Sequence, residues 1–200
     1  MSGYSYEQSP DPYCYEGTDI LINKLNIRNK ITLVDVERKV TSAKELELIK
    51  TPIRGRFGFA HIKNIHKYLF NDLYDWAGIP RSAGFISKGG NIFCVAHHIN
   101  TYANQIFIKL ASENKLRGLP HEEFCARIAY YASELNILHP FREGNGRTTR
   151  AFLQQLSMQA GYRIHWQLTN RTELLLADIA AFNLQLAPLI SIYEKIVKLY

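Results

Sequence analysis

Cysteine is scarce in this 200-residue chain: three residues, Cys14, Cys94 and Cys125, stand far apart with no CxxC pair. That spacing excludes a disulfide framework and a zinc ribbon or finger, and it favours a reducing cytoplasm. No stretch approaches the roughly 18 to 20 uninterrupted apolar residues of a membrane span, and the polar, Tyr-rich start lacks a basic-then-apolar signal pattern. Runs of like charge are missing as well. The net charge is +6, but Lys24, Arg28, Arg38, Lys63, Arg117 and Arg163 are scattered and no zinc-finger or RNP motif accompanies them, so charge alone does not choose between nucleic acid, phosphate ligands and an acidic partner. Strand signals are few, and no internal repeat or low-complexity linker breaks the chain.

What is present is helical periodicity on a chain that is 46% apolar, enough to bury a substantial core. Phe124, Ile128, Tyr131, Leu135 and Leu138 recur at intervals of four and three, which predicts a helix over His121–Leu138. A second stripe, Ile62, Ile65, Leu69, Leu73 and Trp76, runs to a stop at Gly78 and Pro80. Further helices are expected at Thr18–Leu25, Thr32–Leu48, Ile99–Glu113, Thr148–Ala160 with Gly161 as cap, Thr172–Leu184 and Pro188–Leu199. Phe85-Ile86 and Ile92-Phe93-Cys94-Val95 flank Ser87-Lys88-Gly89-Gly90-Asn91, two short extended segments around a Gly-rich turn, hence a β-hairpin. The fold class is therefore mostly α, a helical bundle with one small hairpin. One domain is expected over 1–200, with 1–17 an extended arm, 83–95 the hairpin, and 139–150 a shaped loop entering a helix.

The chemistry is concentrated in His139-Pro140-Phe141-Arg142-Glu143-Gly144-Asn145-Gly146-Arg147-Thr148-Thr149-Arg150, a helix-loop-helix junction. Pro140 disfavours helical geometry at His139, and Gly144 and Gly146 permit positive φ and close backbone approach. Loop N–H groups and the following helix N-terminus together make an anion cradle. Arg147 and Arg150, three apart, project from one face of the first turn; cations there oppose the helix dipole unless an anion or an acidic group offsets them. Glu143 would repel a phosphate unless it recruits a cation, and Mg²⁺ is commonly held by one or two carboxylates plus substrate phosphates and water. Neutral His139 can take a proton from an attacking hydroxyl near neutral pH.

The run is neither Walker A nor GxGxxG. Position for position it resembles the Fic motif HPFx[D/E]GNGRxxR. Leu69-Phe70-Asn71-Asp72-Leu73-Tyr74-Asp75-Trp76-Ala77-Gly78 is similar to the family's helix end before its flap, and Asp11-Pro12-Tyr13 with Leu25-Asn26-Ile27-Arg28 resembles its short bacterial cell-filamentation branch. The resemblance implies a Fic fold whose hairpin is a flap over the active-site loop. It also implies an enzyme that transfers AMP from ATP-Mg²⁺ to a protein hydroxyl and releases pyrophosphate. On it, His139 is the base, Phe141 the loop anchor and Glu143 the Mg²⁺ ligand. Gly144, Asn145, Gly146, Arg147 and Arg150 bind the phosphates, and Ser87, Lys88, Gly89, Gly90, Asn91, Ile92 and Phe93 dock the target.

Such enzymes are commonly restrained by a [S/T]xxxE[G/N] helix whose glutamate pairs with the motif's second arginine, here Arg150. Thr41–Glu45 and Thr169–Glu173 match in part, each followed by leucine rather than Gly or Asn. The expectation is therefore a separate small antitoxin-like partner that supplies the glutamate. Two other classes stand beside the enzyme: a catalytically silent nucleotide- or partner-binding module, and a basic helical nucleic-acid binder.

Overall fold

The computed structural model describes residues 4–6, 11–82, 86–88 and 91–200. The architecture is mostly helical. An N-terminal strand, β1 (Tyr4–Tyr6), is followed by α1 (Lys30–Lys50), α2 (Phe59–Phe70), the hairpin strands β2 (Ile86–Lys88) and β3 (Asn91–Ile92), α3 (Ile99–Ser112), α4 (His121–Leu138) and α5 (Asn145–Gln159). Then come β4 (Tyr162–Ile164), α6 (Arg171–Phe182), α7 (Ala187–Ile196) and β5 (Val197–Leu199). Among the described residues no helix is long and apolar enough to cross a membrane.

Helix α4 is central, packed on α3, α5, α6 and α7, because the apolar side chains predicted for it (Phe124, Ile128, Tyr131, Leu135, Leu138) are all buried. Helix α2 buries Ile62, Ile65, His66, Leu69 and Phe70 against α5, the spacing of one helix face. Asn29 caps α1 by accepting from Thr32 N–H, and Asn170 caps α6 by accepting from Glu173 N–H. Each such cap stabilises its helix by about 1 kcal/mol.

The structure corrects several boundaries. Thr18–Leu25 is not a helix; it is a loop held by a bridge between Cys14 and Leu21 and by Asn23, whose side chain bonds the backbone of Leu21 and Ile27. Such side-chain bonding offers the backbone an alternative to helix. Helix α2 ends at Phe70, well before Gly78, and the remaining apolar residues of that stripe, Leu73 and Trp76, follow in turns. The segment Val197–Leu199 leaves α7 and pairs antiparallel with Tyr162–Ile164, a small sheet that the helical reading missed. The expected hairpin forms, with Ser87 opposite Ile92 and Lys88 opposite Asn91. Phe85, Gly89 and Gly90, named for its strand and turn, lie outside the described residues. Its sheet gains a third strand, β1, on the far side of β2.

Candidate active site

His139 closes α4 in a left-handed conformation (φ 40°, ψ 59°) and is 4% exposed. Pro140 removes it from the helix as expected, but into the left-handed region rather than into extended backbone, an uncommon state for a non-glycine residue that neighbours must hold. Its Nδ1 stands 3.3 Å from Asn136 O, and since a carbonyl only accepts, that nitrogen carries the proton and Nε2 is the basic one. The ring stacks on Phe93 of the hairpin at 3.9 Å. Arg81, 2% exposed, donates from Nε to His139 O at 3.0 Å and from Nη2 to Cys94 O, while its own N–H donates to Pro140 O. One buried guanidinium thus ties the start of the loop to the exit of the hairpin.

The loop itself is closed by Asn145, buried, whose Oδ1 accepts from Phe141 N–H at 2.9 Å and whose Nδ2 donates to Phe141 O at 2.7 Å. Its side chain therefore shapes the loop, and its backbone N–H is what it can offer to an anion. Gly144 adopts φ +80°, and a Cβ there would meet the Phe70 ring at 2.2 Å, so both conformation and space require glycine. Helix α5 starts at once: the first intrahelical bond runs from Thr148 N–H to Gly144 O. The N–H groups of Asn145, Gly146 and Arg147 have no acceptor among the described residues, the condition for an anion site at a helix N-terminus.

Phe141, with no exposed surface, is fixed by His66, whose ring stacks on it at 3.7 Å. His66 Nε2 donates to Glu143 O at 3.0 Å and its Nδ1 accepts from Gly78 N–H at 2.8 Å, so both nitrogens of a neutral ring are used. Burial pushes its pKa down to about 3. No local sequence signal marks His66, which stands between two members of the apolar stripe of α2.

The two arginines of α5 divide. Arg147 turns to α1, where Nη2 donates to Glu37 at 2.6 Å, Nη1 donates to Thr41 at 3.1 Å, and the guanidinium lies 4.7 Å over the Phe70 ring. Glu37 also accepts from Tyr74. The acidic group that offsets a first-turn cation is thus Glu37, about a hundred residues away in sequence, rather than a ligand alone. Arg150 is more open, its side chain 42% exposed, with Glu45 of α1 at 3.8 Å. Burial raises the Glu45 pKa although Arg150 and Arg147 pull it down. Of the two partial inhibitory matches, Thr41–Glu45 stands against Arg150; Glu173 instead takes Thr169 and Lys195.

Glu143 is 23% exposed; its Oε1 accepts from Gly144 N–H at 2.9 Å and stands 3.5 Å from Arg147, and among the described residues no hydrogen bond reaches its Oε2. Arg142, in the motif's variable position, pairs with Asp11 at 2.6 Å and so fastens the N-terminal arm to the loop.

An open cleft gathers His139, Asn145, Gly146 and Arg150, and with them Asp178 and Tyr193 of α6 and α7. Glu143, Arg147 and Phe141 are not among the residues that line it. Burial pushes the Asp178 carboxyl up to about 7 against the opposing pull of Arg150. The cavity therefore combines open backbone N–H groups, a guanidinium and an imidazole, the set needed to hold phosphates beside a proton acceptor.

A family model described as Fic/DOC family matches residues 56–157, which run from just before α2 almost to the end of α5. Protein adenylyltransferase VbhT of Bartonella schoenbuchensis is 44% identical over 177 residues, 88% of this chain and 37% of that protein. Probable protein adenylyltransferase y4lH of Sinorhizobium fredii is 36% identical over 185 residues, 92% of this chain and 94% of that protein. The chain thus spans about a third of the length of the first relative and nearly all of the second. Among solved structures, the N-terminal Fic domain of a Bartonella quintana cell filamentation protein with bound ADP superposes with a TM-score of 0.88 at 29% identity, covering 94% of each chain. BepC from Bartonella tribocorum with bound AMPPNP gives 0.89 at 27% identity, covering 94% of this chain and 97% of that one.

Proposed function

The chain belongs to the Fic/DOC family, and from that premise we propose that it is a protein adenylyltransferase which moves AMP from ATP onto a hydroxyl side chain of another protein. The observation that carries the reading is the cavity where His139, the open N–H groups at the start of α5, and Arg150 converge beside the hairpin.

In this reading His139 Nε2 takes the proton of the target hydroxyl as its oxygen bonds to the α-phosphorus. The bond from that phosphorus to the bridging oxygen of the β-phosphate breaks, and pyrophosphate leaves. Asn136 holds the imidazole in the required tautomer. The N–H groups of Asn145 and Gly146 take phosphate oxygens, and Arg150, the more open arginine, takes the outermost ones. Arg147 acts chiefly by holding the helix start against Glu37. The residues fit Mg²⁺ as well: Glu143 brings a partly exposed carboxylate to the edge of the anion cradle, and the ion when bound would neutralise phosphate charge. Positioning and charge neutralisation supply most of the rate enhancement in such a transfer.

The flap, Ser87 to Phe93, docks the target by strand pairing. A separate small protein restrains the enzyme by offering a second carboxylate to Arg150, whose existing contact with Glu45 is long and partly exposed. Incubation of purified protein with α-labelled ATP, Mg²⁺ and a lysate, followed by intact-mass analysis of labelled proteins, tests the activity. Label on protein with pyrophosphate released supports it, and salt-dependent nucleic-acid binding without turnover would favour the basic-module reading instead.

A further inference from the structure

The hairpin is not a free edge. Strand β1 pairs antiparallel along the outer side of β2, with Tyr4 opposite Lys88, Ser5 opposite Ser87 and Tyr6 opposite Ile86, in the order β1-β2-β3. The pairing directions follow from one hydrogen bond. Phe93 N–H donates to Ile86 O at 3.0 Å, so Ile86 turns its backbone groups toward β3, and by alternation Ser87 turns its own toward β1. On the opposite side the continuation of β3 is already engaged, since Cys94 N–H donates to Ile137 O at the end of α4. The outer edge of β2 is therefore the place where the flap accepts another strand, and Ser87 is the residue that receives it.

We propose that this edge is a docking surface for an extended, hydroxyl-bearing peptide segment, and that residues Tyr4–Tyr6 of the same chain are its in-cis occupant, which a target segment must displace. The proposal rests on the reading of the flap as a target dock and names what stands in the dock. Four observations support it. The edge leads to the site: Ile86, buried, links β1 to Phe93, whose ring covers His139, and two strand spacings, roughly 10 Å, separate Tyr6 from Phe93. The occupant is short, three residues paired through backbone on an edge, and so weak enough to exchange. It is also tethered, because Asp11 pairs with Arg142, Tyr13 meets Trp76 edge-on at 5.9 Å, and Tyr13 Oη accepts from Ser82 N–H. A tether of a few residues holds a strand at an effective concentration on the order of millimolar. A weak pairing is thereby occupied at rest and yields to a target that brings further contacts. The occupant, Tyr-Ser-Tyr, carries a hydroxyl at every position, the residue types the proposed reaction uses as acceptors.

The test uses no nucleotide, so its outcome is independent of whether transfer occurs. A fluorescent peptide copying residues 1–10 is titrated by anisotropy into the intact chain and into a variant lacking residues 1–8, which keeps Asp11. The peptide should bind the shortened variant at least about tenfold more tightly than the intact chain, and the same peptide with Ser5→Pro should not bind. Equal binding to both proteins, or none to the shortened one, overturns the proposal. Should the deletion disturb folding, Ser5→Pro in the full chain provides the second readout: amide exchange at Ser87 should accelerate while Phe93, bonded within the hairpin, keeps its protection. Unchanged exchange at Ser87 overturns the proposal, and so does an intact chain that sediments as a dimer which the deletion dissolves, since the strand would then come from a second copy.

Discussion

Arg147 Nη2 and Glu37 Oε1 lie 2.6 Å apart, with both side chains largely out of solvent. This contact joins the first turn of α5 to the middle of α1, and through Tyr74, which donates to the same carboxylate, to the segment after α2. It decides which of the two arginines is left for a ligand.

Removing one partner of such a pair strands the other charge. Glu37→Ala is expected to lower stability by about 3 kcal/mol, and Glu37→Leu with Arg147→Met to recover most of that loss. Urea unfolding of the single and double variants checks this; a single variant within about 0.5 kcal/mol of the parent would mean the pair is not holding the helix start.

His66 gives a pH dependence whose sign is fixed. Its folded pKa is depressed to about 3 from an ordinary 6.5, so its contribution is fully present above 6.5 and is lost as pH falls from there toward 3, because only the unfolded chain takes up the proton. Between those limits stability should fall by up to about 1.4 kcal/mol per pH unit on account of this residue. His66→Gln should be less stable at pH 7.5 yet lose stability with a slope shallower by about one proton. Urea titrations at several pH values across that window measure the slope, and identical slopes would contradict the buried neutral ring.

Asp178 works in the opposite direction. Its carboxyl is raised from 3.8 to about 7 by burial, with Arg150 opposing, so it is harmless below the unfolded value and costs stability as pH rises from about 4 to 7. Asp178→Asn should therefore melt a few degrees higher than the parent at pH 8 and near the parent at pH 4. An equal shift at both pH values would assign the effect to packing.

The structure sharpens the question of restraint, since Glu45 stands against Arg150 while Glu173 does not. With a separate partner as the restraint, Glu45→Gly and Glu173→Gly should leave transfer by the isolated chain within a few-fold of the parent. A rise of roughly a hundredfold, about 2.7 kcal/mol, in either variant would place the inhibition within the chain.

How much of this was legible in the sequence follows from the range of each interaction. Helix α4 and the loop from His139 to Arg150 could be read because a buried stripe and a run of Gly, Pro and His are local signals. The hairpin was legible for the same reason, as two apolar pairs around a glycine turn. Glu37 was not, because nothing on α1 reveals that its carboxylate meets residue 147. His66 and Arg81 were hidden differently: one sat in an apolar stripe that reads as core, and the other reaches the carbonyls of His139 and Cys94 only after the chain has folded. The β4–β5 sheet escaped because three-residue strands carry too little alternation to outweigh the helical pattern that runs into Val197.

The central claim is that His139 acts on the incoming hydroxyl and the start of α5 on the phosphates. The most direct measurement is a pair of experiments on His139→Ala, with ATP affinity by calorimetry and AMP transfer by intact mass on the same preparation. The account predicts that transfer is abolished while ATP affinity stays within a few-fold of the parent. Transfer at the parental rate, or a collapse of ATP affinity with this substitution, would contradict it.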